Sequence, residues 1–135
     1  MKRLILALVF MAVLPLAAKA QEDAVKIPLA EMADGQAHFH KLDVSGVDVR
    51  YFLVKAPDGT IRAALDACEV CAPEKKGFKQ DGQSMICNNC GRQYPMSRIG
   101  LMRGGCNPHP LKATVQGDQV LLDRAELADG VKFFK

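Results

Sequence analysis

Two Cys-x-x-Cys pairs, Cys68-Glu69-Val70-Cys71 and Cys87-Asn88-Asn89-Cys90, with fifteen residues between them, constrain this chain more than any other feature. A two-residue gap lets a tight turn aim both sulfurs at one ion while backbone amides stabilise the thiolates, and two such knuckles facing each other make a closed four-sulfur set. Gly91 follows the second pair, where a knuckle needs a residue free to take positive φ. A fifth thiol, Cys106, sits in Gly104-Gly105-Cys106-Asn107-Pro108. The two glycines allow close backbone approach, and Asn-Pro marks a rigid turn. Three roles stand open for Cys106: a ligand from a third loop, a redox partner for another cysteine, or a free buried thiol.

Disulfides are the rival use of these sulfurs, because an oxidising compartment favours them in exported chains. The odd count leaves one cysteine over, and a bridge within a Cys-x-x-Cys pair closes too little chain to stabilise much. A thioredoxin-type role calls for one pair opening a helix in a βαβ setting, whereas this chain places two pairs among short strands. Covalent c-type haem is excluded, since Ala72 and Gly91 stand where the attachment motif has His.

Export is expected from the N-terminus. Lys2-Arg3, the apolar run from Leu4 and the small-x-small site Ala18-Lys19-Ala20 make residues 1–20 a cleavable secretory signal peptide, with one domain over residues 21–135. The apolar run is shorter than the about 20 residues that span a bilayer. Cleavage removes Lys2, Arg3 and Lys19, so the formal charge of +3 becomes 15 basic against 15 acidic groups. A nucleic-acid partner is therefore not expected, for want of a basic face to neutralise phosphates.

The rest reads as short strands. His38 to Leu42 alternates, Ser45-Gly46 turns, and Val47 to Lys55 is β-branched and aromatic. Pro57-Asp58-Gly59 turns the chain back into Ile61 to Leu65, which delivers it to Cys68. A second hairpin is expected from Ala113–Gln116 and Gln119–Leu122 around Gly117-Asp118. Arg124 to Ala128 makes one helical turn with Gly130 at its C-cap, Val131 to Phe134 reads as a final strand, and Gln21 to Lys26 as a loose leader.

Other candidates are weighed against plainer roles. His38 and His40 point to one face of a strand, a geometry suited to iron or copper, although a solvated polar face explains them better. His109 stands three residues after Cys106 in a proline-stiffened loop. Met85, Met96 and Met102 flank the cysteines with thioethers that suit Cu(I), against their usual use as packing. Asp66 and Glu69 adjoin Cys68 as acceptors or weak ligands. No catalytic triad, phosphate-binding glycine loop or catalytic carboxylate pair is present, so hydrolase and transferase readings have no residues to rest on. Enzyme activity is left open, with non-enzymatic electron transfer or metal binding favoured.

The blocks Asp66 to Cys71, Gly77 to Gln80, Met85 to Gly91, Ile99-Gly100, Gly104 to Pro108 and Pro110-Leu111 together resemble the FtrD-like family of membrane iron-sulfur-containing proteins, from about His38 to Phe134. The resemblance implies an accessory of bacterial ferrous-iron uptake that works beside a membrane permease or redox partner and handles electrons or iron. It also implies that Cys68, Cys71, Cys87, Cys90 and Cys106 are the site residues for an iron-sulfur cluster or iron. A weaker likeness to Rieske domains lies in two ligand pairs and a Gly/Pro loop, with Cys in place of the ligating His. The expected fold is all-β, two small antiparallel sheets or a partly open, Rieske-like barrel, with the knuckles at one end.

The leader lacks a twin arginine, the mark of export in a folded, loaded state. The chain is then expected to gain its metal outside the cytoplasm, in a periplasmic or membrane-associated location, which keeps zinc and copper open beside iron. The contrasting function is a binding module whose fold is stapled by structural zinc or disulfides. The first-choice ligands are Cys68, Cys71, Cys87 and Cys90, with Cys106 as a cap that replaces one of them or forms a disulfide.

Overall fold

The computed structural model describes residues 23–135; the expected signal peptide lies outside the described residues. Ten short strands form three antiparallel sheets, and no barrel closes among these residues. The central sheet holds β2 (His38–Val44), β3 (Val47–Lys55), β4 (Ile61–Leu65) and β8 (Pro110–Leu111) in that order. A second sheet orders β1 (Ala24–Pro28), β10 (Gln119–Asp123) and β9 (Ala113–Gln116), and a third orders β5 (Phe78–Asp81), β6 (Ser84–Cys87) and β7 (Gln93–Pro95).

The central strands follow from local chemistry. Ser45 and Gly46 both take positive φ, 54° and 84°, as a two-residue hairpin between right-twisted strands requires. That turn sets the β2–β3 register from Val44↔Val47 to His38↔Leu53. Residues 51–54 are buried on both faces of β3, which explains the unbroken apolar run Tyr-Phe-Leu-Val. Because side chains alternate across a strand, β3 and β4 supply two cores. Tyr51, Leu53, Ile61, Ala63 and Leu65 pack with Ile27, Val120, Leu122 and Leu127 on one face. Phe52, Val54 and Ala64 face the other way, against Phe78, Met85, Tyr94, Met96, Ile99 and the thiols of Cys68, Cys71 and Cys87. The cysteine end thus rests on a packed apolar floor, with Phe52 and Phe78 rings 6.0 Å apart beneath it.

Two expectations are corrected. Ala24 to Lys26 belongs to β1, paired with β10 from Ala24↔Asp123 to Pro28↔Gln119, and is no loose leader. The alternation of Val25 and Ile27 carries that pairing, with Ile27 buried. Val131 to Phe134 is no strand either: the helix α1 (Arg124–Asp129) runs on into a 3-10 turn over Gly130–Phe133. Both edges of β10 are already taken, by β1 and β9. Helical spacing instead aims Leu127, Gly130 and Phe133 inward, and Asp123 caps α1 by accepting from the Ala125 N–H at 2.8 Å. Gly130 caps the helix as expected, in right-handed conformation.

Candidate metal centre

The first knuckle leaves the end of β4. Within it the Cys71 N–H donates to Cys68 Sγ at 3.1 Å, joined by the Val70 N–H. The Ala72 N–H donates to the Cys68 carbonyl at 3.0 Å, closing the turn. The second knuckle repeats the pattern at the end of β6. Asn89 and Cys90 N–H groups point at Cys87 Sγ, and the Gly91 N–H donates to the Cys87 carbonyl at 2.9 Å. Gly91 has φ +73° there, in the left-handed region that favours glycine.

Side chains lock the knuckles together. The Asn88 amide donates to the Lys76 carbonyl at 3.0 Å, and the Asn88 N–H to the Gly77 carbonyl at 2.9 Å. Lys76 Nζ donates to Asn89 Oδ1 at 3.2 Å; this leaves the Asn89 amide group to hydrogen-bond the Cys71 thiol. Asp66, buried beside Cys68, accepts from the Phe78 N–H at 2.6 Å and faces Arg50 Nε at 3.6 Å. It holds β4 to β5, so its part is to set the spacing between knuckles. The third loop is pinned by the His109 N–H on the Ala67 carbonyl at 3.0 Å and the Leu65 N–H on the His109 carbonyl at 2.8 Å. Asn107 shapes it by donating to the Gly104 carbonyl at 3.0 Å.

All five cysteines are free thiols that meet at one end of the molecule. Their sulfurs form two groups of three, Cys68/Cys71/Cys87 and Cys71/Cys90/Cys106, each with all sulfurs within 4.8 Å of one another. Cys71 is common to both. The first group is buried, whereas Cys90 is exposed and Cys106 half-buried. Burial pushes the Cys68 thiol up and the Cys87 thiol up to about 11. Burial, then its hydrogen bonds with Cys90 and Cys71, pushes Cys106 up to about 12. Cys71 goes the other way: the Asn89 hydrogen bond, supported by the neighbouring thiols, holds it below the ordinary thiol value. Thiols raised in this way stay protonated at neutral pH until a cation displaces the proton.

The other candidates lie elsewhere. His38 Nε2 is 2.8 Å from Asp34 Oδ1; His40 Nε2 is 3.3 Å from Glu31 Oε2, with its ring stacked on Tyr51. Neither joins a thiol group. Met85 and Met96 are core residues, while Met102 is exposed. Glu69 reaches toward the third loop, its Oε1 3.9 Å from His109 Nδ1. His109 lies on Phe133, with Nε2 3.2 Å from an Arg103 nitrogen. Sequence reasoning missed Asn89, whose polar character inside the second knuckle was the available signal.

Burial, then the Arg103 charge, holds His109 below the ordinary histidine value. A base with a depressed folded pKa leaves the unfolded chain binding more protons, so its contribution to stability is present above about pH 6.5 and lost as pH falls through the lowered value. Urea midpoints of the wild type should drop between pH 7.5 and pH 5 by more than those of His109→Gln. Equal drops in the two proteins would remove His109 from this account.

An all-sulfur donor set suits an iron-sulfur group, and so do backbone N–H groups aimed at two of the sulfurs. A further observation agrees. The Tyr94 hydroxyl is buried without a hydrogen-bond partner, and after burial it is the thiols of Cys106, Cys90 and Cys68 that oppose its ionisation most. An unpaired buried donor beside sulfur is satisfied once sulfide or metal-bound thiolate offers it an acceptor.

A small β domain that gathers five thiols on a packed floor has the donor set of a thiolate metal-binding protein. The chain belongs to the family described as membrane iron-sulfur containing protein FtrD-like, whose model matches residues 32–134. No curated protein matches the chain. Among the described residues, no helix is long and apolar enough to cross a membrane.

Proposed function

We propose that the chain is an exported, periplasmic thiolate metal protein of iron-sulfur type, serving bacterial iron uptake as an electron-transfer or metal-handling accessory beside a membrane permease or redox partner. The observation that carries this reading is the gathering of all five thiols around Cys71. Cys68, Cys71, Cys87 and Cys90 would hold the group, with Cys106 over its outer side. An iron-sulfur group supplies a one-electron donor and acceptor at low potential when all its ligands are thiolates. The protein's residues do the rest. Phe52, Phe78 and Met85 keep water from the inner sulfurs, the knuckle N–H groups offset the thiolate charge, and exposed Cys90 brings one edge of the site to the surface.

Hydrogen-bond donors to the sulfurs stabilise the more negative reduced state. Tyr94→Phe should therefore lower the reduction potential by roughly 20–60 mV, the one-electron equivalent of a hydrogen bond of about 0.5–1.5 kcal/mol. A reductive titration of the purified protein, followed by its visible spectrum, reads both points. Reversible bleaching and a lower potential in Tyr94→Phe support the reading. A spectrum indifferent to reductant in the wild type sinks it.

A further inference from the structure

A single tetrahedral ion with metal–sulfur bonds of about 2.3 Å needs four sulfurs that are all mutual neighbours, about 3.8 Å apart. Such a quartet would fall within the 4.8 Å that bounds the thiol groups here, yet the described residues form two trios and no quartet. The trios differ in surroundings as well as membership. Cys68, Cys71 and Cys87 are buried, two of them receive backbone N–H groups, and they line a cavity of about 10 Å³. That is room for one water-sized body. Cys90 is exposed and Cys106 half-buried on a loop with positive φ at Gly104 and Gly105, so the second trio opens to solvent.

We infer that the five thiols define two metal positions bridged by the Cys71 thiolate, an inner closed one and an outer one open to solvent, both suited to thiophilic d10 cations of the zinc, cadmium and copper(I) class. Three thiolates around each ion suit soft cations. Each position has three protein sulfurs and a free fourth place, so burial and not ligand count separates them. The inner position, shut from solvent, holds its ion while the outer one takes up and releases ions at the surface. The two ions together displace the five thiol protons, that of Cys71 being lost once to the bridge, and no electron moves. This goes beyond the iron-sulfur reading, since it concerns the chain offered a d10 ion in place of iron and sulfide.

The test is a titration of the reduced, metal-stripped full chain with cadmium-113, followed by thiolate-to-cadmium absorption and cadmium NMR. Two equivalents are expected, one for each trio, giving two resonances that both couple to the Cys71 β-protons. Cys106→Ser should keep the inner resonance and weaken the outer ion at least about 100-fold, given that even lost outer-shell partners cost 10–100-fold. Cys90→Ser, at an exposed position, should do the same and serves if Cys106→Ser fails to fold. One equivalent per chain, two resonances with no shared residue, or two full-affinity equivalents in both serine variants would overturn the inference. Iron and sulfide content of the untreated protein judges the iron-sulfur reading separately.

Discussion

Cys71→Ser is expected to leave the protein unable to hold metal. Each of the other thiols belongs to one trio, but Cys71 belongs to both, within 4.8 Å of each of the other four sulfurs. The hydrogen bond from Asn89 also makes its proton easier to displace than that of an ordinary thiol. Serine keeps the shape and offers a harder oxygen that soft metals disfavour. Affinity should fall by well over about 100-fold, the upper end of what losing an outer-shell partner costs. Cys106→Ser should retain part of the bound metal. Metal content after gel filtration against a competing chelator reads both variants, with circular dichroism to verify their folding. If Cys71→Ser keeps as much metal as Cys106→Ser, Cys71 is not the shared ligand.

A large stability effect without touching a ligand is expected at Gly77. Its φ is +64°, and a Cβ there would overlap the Asp66 carboxylate. Gly77→Ala then incurs about 1–2 kcal/mol for a left-handed alanine. It also displaces the carboxylate that accepts from the Phe78 N–H, a loss of about 1.5–3 kcal/mol for a charged hydrogen bond. The two together come to about 2.5–5 kcal/mol, enough to unfold a marginal domain. Gly91 is the control, because its φ of +73° is similar but a Cβ there meets nothing within 4 Å. Gly91→Ala should cost only the backbone portion. Urea unfolding of the reduced, metal-free proteins compares them, and equal midpoints would show that Asp66 does not constrain this corner.

The central hairpins were legible because their signals are local: Ser45-Gly46 and Gly59 turn the chain, and the apolar run from Tyr51 to Val54 has one structural use. The third sheet was not. Its strands are three or four residues long, and Phe78-Lys79-Gln80-Asp81 carries no β-branched residue. It is held by Asp66 and by the Asn88 contacts with the Lys76-Gly77 backbone, which no window of sequence contains. Phe133 and Phe134 read as a strand because aromatic propensity is only a preference for a half-buried surface, and the sheet edges were already occupied. Cys68, Cys71, Cys87 and Cys90 were legible from spacing, while Cys106 joined them only through the family resemblance, its own setting leaving its role open. Their division into two trios was not legible, since it depends on how far the third loop, pinned at His109, carries Cys106 past Cys90.

The claim that these thiols serve an iron-sulfur type centre meets its most direct test in the metal and acid-labile sulfide content of protein purified without air, with its visible spectrum. The account expects iron and sulfide in roughly equal amounts, with sulfur-to-iron charge-transfer bands that vanish in Cys71→Ser. Colourless protein holding stoichiometric zinc and no sulfide would contradict it and favour a fold stapled by structural metal.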